Sequence, residues 1–159
     1  MENLYKTDYY QWIKRQKELL ANRQFDQLDL KNLIEEIDDM GSDLDTLESR
    51  LTTLLLHLLK YQYQVQVINP NLSEPYNCRN WKGTIREQRE QIKRLMKKRP
   101  HLKYEKNNAL AEIYPTSKKL AIEAMNDYVQ SHQQLNNNSY PAQCLWSFEQ
   151  IMEEGWLPN

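Results

Sequence analysis

A heptad repeat of apolar residues is the sequence feature that most constrains how this chain can fold. Two sets of positions, each spaced seven residues apart, are apolar or aromatic throughout. The first set is Leu30, Ile37, Leu44, Leu51, Leu58 and Val65, and the second is Leu33, Met40, Leu47, Leu54, Tyr61 and Ile68. A pattern that keeps its phase over this length predicts one long helix over about residues 29–67, with Asp29 as its N-cap.

The burial predicted for this long helix changes along its length. From Leu54 to Leu59 the sequence is Leu-Leu-Leu-His-Leu-Leu, which is apolar on nearly every side and predicts the centre of a bundle. The first half has an acidic outer side instead. Gly41 lies inside this half and can mark a bend, although the heptad phase continues across it.

The other segments predict further helices and their ends. Thr7 or Asp8 is a candidate N-cap for a first helix that ends near Asn22, and Asn80 is a candidate N-cap for a helix that Pro100 terminates. A segment over about 102–129 contains Pro115, and its apolar face stays in phase on both sides, which predicts a kinked helix.

A short C-terminal helix completes the predicted set. Ser147, followed three residues later by Gln150, has the spacing of a capping box, and Gly155 can end the helix. We therefore expect an all-α fold in which about four main helices form a bundle around the long helix, within a single domain over 1–159.

The composition argues against several classes of protein. The 21 basic and 22 acidic residues give a net charge of −1, so no overall field attracts nucleic acid or membranes. No apolar run approaches the ~20 residues that span a bilayer, and the N-terminus is polar. Cys78 and Cys144 form neither a C-x-x-C motif nor a zinc-type spacing with histidine. We expect a cytoplasmic protein with no bound metal and no cofactor.

Four short motifs occur in order along almost the whole chain. They are Glu35-Glu36-Ile37, His57-Leu58-Leu59-Lys60, Trp81-x3-Ile85 with Gln88-Arg89, and Tyr140-Pro141-x2-Cys144 with Trp146. This succession resembles the cyanobacterial domain-of-unknown-function family numbered 29. The resemblance implies an all-α fold and a cyanobacterial, cytoplasmic source, and it brings no activity and no catalytic residue. Pro115 departs from the helix that is usually unbroken in such proteins.

Three polar residues are candidates for a buried network: His57, Arg89 and Glu36. Arg89 occupies the apolar stripe of its helix, and a buried guanidinium must be paired. In a simple hairpin Arg89 comes near the height of His57. One interpretation is a pocket in which Arg89 holds an anion or carboxylate and His57 a proton or metal. The alternative, which we prefer, is a satisfied structural network.

Two charged segments are the remaining candidates. Residues 26–48 hold nine acidic residues and one base, whereas 79–106 hold eleven basic residues and three acids. A basic stripe can follow phosphates, which makes Lys93, Lys97 and Lys98 possible nucleic-acid contacts. Pairing of the acidic and basic segments, within the fold or between subunits, is the simpler explanation.

The absence of a Gly-rich phosphate loop, an H-E-x-x-H motif or a nucleophile elbow argues against an enzyme. Our preferred function is a non-catalytic interaction or structural module that forms a homodimer through the first half of the long helix. The alternatives are nucleic-acid binding through the basic helix over 81–99 and an uncharacterised ligand or enzyme site at Arg89 and His57.

Overall fold

The computed structural model describes residues 4–159, and no strand occurs in that range. Its α-helices are α1 (Leu4–Thr7), α2 (Tyr9–Ala21), α3 (Leu30–Gly41), α4 (Asp43–Tyr63), α5 (Arg79–Lys98), α6 (Lys106–Asn126) and α7 (Phe148–Met152). The predicted all-α fold is confirmed. The chain divides into two compact units, of which the first ends at Ser42 and the second begins at Asp43. The assignment of the whole chain to one domain stays a prediction.

The predicted long helix is interrupted near its first third. Helix α3 ends at Gly41, Ser42 follows, and α4 begins at Asp43. At its other end, α4 is followed by a π-helical turn over Gln64–Ile68 and a 3-10 turn over Asn69–Asn71. At the interruption the hydroxyl of Ser42 donates to the carbonyl of Asp39 at 2.5 Å. A glycine followed by a serine whose hydroxyl competes for backbone hydrogen bonds explains an irregularity at the position where the sequence predicted a bend, and Ser42 itself keeps right-handed helical dihedral angles.

Polar side chains fix the helix ends of the N-terminal unit. Asp8 caps α2 by accepting a hydrogen bond from the backbone N–H of Gln11 at 3.3 Å. Asp29 caps α3 by accepting from the backbone N–H of Asn32 at 3.5 Å. Both predicted caps are confirmed, and a 3-10 turn over Phe25–Gln27 joins the two helices.

The core of the C-terminal unit is built on α4, which packs against α5 and α6. Leu54, Leu55 and Leu58 have no solvent exposure, and Leu59 is 2% exposed. They contact a continuous apolar cluster that includes Ile85 of α5 and Met125 of α6. The burial of these leucines confirms the predicted centre of the bundle. A helix segment that is apolar on every side is stable only when other elements surround it.

The ends of α5 and α6 differ from prediction in detail. Helix α5 begins at Arg79, after Cys78 in the left-handed region (φ 58°), so the predicted Asn80 cap is wrong. A 3-10 turn over Pro100–Tyr104 precedes α6, which continues through Pro115. Proline has no backbone N–H, so one helical hydrogen bond is missing at this point.

Candidate interaction surfaces

Arg89 anchors the C-terminal segment to α5. Its side chain is 5% exposed, its Nε donates to the carbonyl of Ile151 at 2.7 Å, and its Nη2 donates to the carbonyl of Trp156 at 2.7 Å. Burial lowers the pKa of the guanidinium, and the nearby charge of Glu153 opposes this shift. Arg89 therefore stays charged, and it binds one carbonyl within α7 and one in the segment that follows α7.

Further hydrogen bonds attach the segment before α7 to the bundle. The hydroxyl of Tyr140 donates to the carbonyl of Leu59 at 2.9 Å, and the hydroxyl of Tyr114 donates to the carbonyl of Pro141 at 2.7 Å. Ser147 caps α7 by accepting from the backbone N–H of Gln150 at 3.1 Å, which confirms the predicted cap. The C-terminal segment is thus held by Arg89 of α5 and Tyr114 of α6, and by its own Tyr140, which binds α4.

His57 and Glu36 bind partners other than Arg89. Nδ1 of His57 lies 2.8 Å from the carbonyl of Thr53, one turn earlier on α4. Burial lowers the pKa of His57, which favours a neutral imidazole. Glu36 belongs to the N-terminal unit and binds tyrosines there. The three predicted network residues share no hydrogen bond within the described chain.

Other chemistry-bearing residues are isolated. Nowhere in residues 4–159 do three or more histidine, cysteine or acidic side chains cluster as metal ligands. Cys78 and Cys144 are free thiols, and burial raises the pKa of each. A thiol with a raised pKa is a poor nucleophile at neutral pH.

The predicted nucleic-acid contacts lie on the surface of α5. Lys93, Lys97 and Lys98 are exposed, and none of them forms an ion pair with another described residue. Arg99, just beyond the helix, instead pairs through Nε with a carboxylate oxygen of Asp43 at 2.8 Å. The basic charge of α5 is therefore largely presented to solvent.

The N-terminal unit is an antiparallel hairpin of α2 and α3 held together by polar contacts. The hydroxyls of Tyr5 and Tyr9 donate to the two carboxylate oxygens of Glu36 at 2.7 and 2.6 Å. Nearer the connecting turn, the indole N–H of Trp12 donates to a carboxylate oxygen of Asp29 at 2.9 Å. The hydrogen bond to Glu36 raises the pKa of Tyr5 to about 12, and the hydrogen bonds from Tyr9 and Tyr5 lower the pKa of Glu36.

Helix α3 leaves its apolar residues uncovered. None of its residues is buried, and the four large apolar side chains on one side are 53% to 63% exposed. These are Leu30, Ile34, Ile37 and Met40. Ile13 and Leu20 of α2 are 38% and 49% exposed. An amphipathic helix whose apolar side is not covered within its own unit presents a surface for packing.

The exposed stripes of α2 and α3 lie on the same side of the hairpin. At about 100° per residue, Ile13 and Leu20 lie roughly 60° from the side of α2 that faces α3. Around the axis of α3, Leu30, Ile34 and Ile37 lie about 130° from the side that faces α2, in the same direction of rotation. Because the helices are antiparallel, equal senses of rotation bring both stripes to one side. We call the surface formed by these five residues and Met40 the apolar face.

The sequence indicated only part of these surfaces. The heptad repeat identified Leu30, Ile37 and Met40 of the apolar face but not Ile34. The contribution of α2 depends on how Tyr5 and Tyr9 bind Glu36. That contact joins residues 31 and 27 positions apart. The available signal was two tyrosines four residues apart, Tyr5 and Tyr9, and a sequence pattern does not indicate their hydrogen-bond partner.

Comparison with known proteins identifies a family for this chain. A family model described as Domain of unknown function DUF29 matches residues 4–157. Searches of curated proteins and of solved structures each find no significant match. In the described part of the chain, no helix is long and apolar enough to cross a membrane.

Proposed function

The chain belongs to the DUF29 family, and we propose that it is a non-catalytic interaction module whose N-terminal hairpin pairs with a second copy of itself. The observation that carries this proposal is the apolar face, on which α3 exposes four large apolar side chains and buries none. Leaving such a surface in water is unfavourable, and pairing two hairpins would give a four-helix bundle with a shared core.

Charge complementarity favours a second copy as the occupant. On α2 the exposed Lys17 borders the apolar face about 40° beyond Ile13. On α3 the exposed Asp38 borders it about 40° beyond Ile34, beside the exposed Lys31 and Glu35, so this edge is acidic by one charge. If α2 of one copy packs against α3 of the other, basic and acidic borders meet twice by symmetry. Packing α2 against α2 would instead bring like charges together, so the charges select the first arrangement.

The size of the apolar face is adequate for a stable dimer. Its large side chains and their borders would bury on the order of 1,000–1,500 Å² in total, which reaches the range of specific interfaces. The acidic half of the predicted long helix thus becomes the contact between copies, and the C-terminal unit keeps its own core.

Sedimentation velocity of a charged variant tests this proposal. Ile34→Glu places a carboxylate in the centre of the apolar face, and we expect it to convert a dimer into a monomer with unchanged helical circular dichroism. Leu145→Glu is the matched control, since Leu145 is also highly exposed but lies in the C-terminal unit. Equal sedimentation of wild type and Ile34→Glu would contradict the proposal.

A charge exchange tests the arrangement of the helices. Lys17→Glu or Asp38→Lys alone should weaken the dimer, because each change places like charges at two symmetric borders. The double variant should recover most of the affinity. Additive weakening in the double variant would contradict packing of α2 against α3 of the second copy.

Nucleic-acid binding through α5 is a second candidate, supported by the exposed and unpaired Lys93, Lys97 and Lys98. It predicts retention on DNA or RNA that falls steeply with salt and is lost when the three lysines are changed to glutamate. Lys119→Glu, an exposed lysine on α6, is the control. Absence of retention at low salt would remove this candidate. The cytoplasmic location and the cyanobacterial origin stay predictions.

A further inference from the structure

A pocket of about 320 Å³ lies beside Arg89 in the C-terminal unit. Three basic residues of α5 line it, and the turn after α7 forms the opposite wall with Met152 and Glu154. The basic residues are Arg86, Arg89 and Lys93. This volume is at the lower end of small-molecule sites.

Arg89 presents a fixed donor edge to this pocket. A guanidinium carries five N–H groups, and Arg89 uses Nε and Nη2 for the carbonyls of Ile151 and Trp156. Its Nη1 has no hydrogen-bond partner among the described residues. This atom is not fully enclosed by the protein. The two carbonyl bonds fix the guanidinium plane, and Arg89 is one of the residues that line the pocket.

The flanking side chains add positive charge to the same face. Arg86 and Lys93 stand three residues before and four residues after Arg89, which places all three on one side of α5. Both are exposed and can move toward a ligand. Glu90 and Glu154 also line the pocket, so its lining has three basic and two acidic side chains. The charge of Glu153 also lies near Arg89.

We propose that this pocket binds a small oxyanion, a carboxylate or phosphate group, on the free edge of Arg89. Arg86 and Lys93 close over the anion as mobile charges, and Glu90 and Glu154 accept hydrogen bonds from a hydroxyl or amino group elsewhere on the ligand. A planar guanidinium held by two carbonyls is pre-organised for an oxyanion in a way that a surface lysine is not.

Isothermal titration with inorganic phosphate and with glycerol 3-phosphate, at constant ionic strength, tests this site. We expect saturable binding with a Kd of about 1 mM or below, tighter for the ligand with hydroxyl groups. The Nε–H resonance of Arg89 should shift along the same curve. Arg86→Gln and Lys93→Gln should each raise Kd about tenfold, with unchanged thermal unfolding.

Lys103→Gln, an exposed lysine outside the pocket, is the matched control and should leave Kd unchanged. Equal weakening in the control and in Lys93→Gln, or an equal response to chloride, would mean an adventitious ion only and would overturn the proposal. Absence of any saturable shift at Arg89 would overturn it as well.

Discussion

Replacing Arg89 by methionine tests how the C-terminal segment is held. Methionine keeps an unbranched stem of similar length, so it fills most of the space in the apolar stripe of α5 and leaves no large cavity. It removes both donors, and the carbonyls of Ile151 and Trp156 lose these partners. The variant therefore separates the hydrogen bonds of Arg89 from its packing.

The expected loss of stability follows from two opposing contributions. Two hydrogen bonds from a charged donor contribute about 3–6 kcal/mol in total. The variant also loses the desolvation cost of burying the guanidinium, which offsets part of that loss of stability. We expect the free energy of unfolding of the C-terminal unit to fall by about 3 kcal/mol, which lowers Tm by about 10 °C.

Thermal unfolding should be followed by circular dichroism and tryptophan fluorescence together. The ring of Trp156 contacts the ring of Trp146 edge to face, with 5.4 Å between centroids, so release of the tail changes tryptophan emission. Arg86→Met is the control, because Arg86 is exposed three residues earlier on the same helix. We expect its Tm to be close to that of wild type.

A Tm for Arg89→Met equal to that of Arg86→Met would refute the reasoning. It would mean that the desolvation cost of the guanidinium cancels its two hydrogen bonds. Early red-shifted fluorescence without loss of the helical signal would instead show that the tail detaches before the bundle unfolds, as the contacts of Arg89 predict.

Three further predictions concern a buried hydroxyl, alkaline pH and the apolar face. Tyr140→Phe removes the bond to the Leu59 carbonyl and should lower the free energy of unfolding in urea by about 1–2 kcal/mol. Burial raises the pKa of Tyr114 from 10.0 to about 12. Its contribution to stability should be complete below pH 10 and decline as pH rises toward 12, which tyrosinate absorbance and parallel denaturation curves can follow. Ile34→Ala removes about 1 kcal/mol of burial per copy, so two symmetric sites should raise the dimer Kd roughly 30-fold in sedimentation equilibrium. A change below threefold would contradict a central position for Ile34.

Local features of the chain were predictable from the sequence because they depend on neighbours in the chain. The caps Asp8, Asp29 and Ser147 each bind a backbone N–H three residues later, and that spacing is visible in the sequence. The leucines of α4 were recognisable as core because they cover every side of the helix. Helix positions and the centre of the bundle follow from such patterns.

Features that depend on distant contacts were not predictable in the same way. Arg89 was identified as buried, but its partners lie 62 and 67 residues away in a tail whose path the sequence does not specify. His57 was expected nearby and instead binds Thr53, four residues away on α4. Asn80 resembled a cap, yet α5 begins at Arg79 after the left-handed Cys78, two residues earlier than a cap at Asn80 requires.

The heptad repeat also concealed a change of environment. Its residues are apolar from Leu30 to Leu58, but those from Leu47 onward are buried, whereas Leu30, Ile37 and Met40 of α3 are exposed. Periodicity reports which side of a helix is apolar, whereas burial depends on what packs against that side. The exposed half is therefore the place where a second copy is proposed to bind.

Sedimentation equilibrium of the wild-type chain over a wide concentration range is the most direct measurement of that central claim. Pairing through the apolar face predicts a mass that rises to twice the chain mass of 19.2 kDa and goes no higher, because a two-fold interface is closed. A mass that stays at 19.2 kDa at the highest concentrations would contradict self-association through the hairpin.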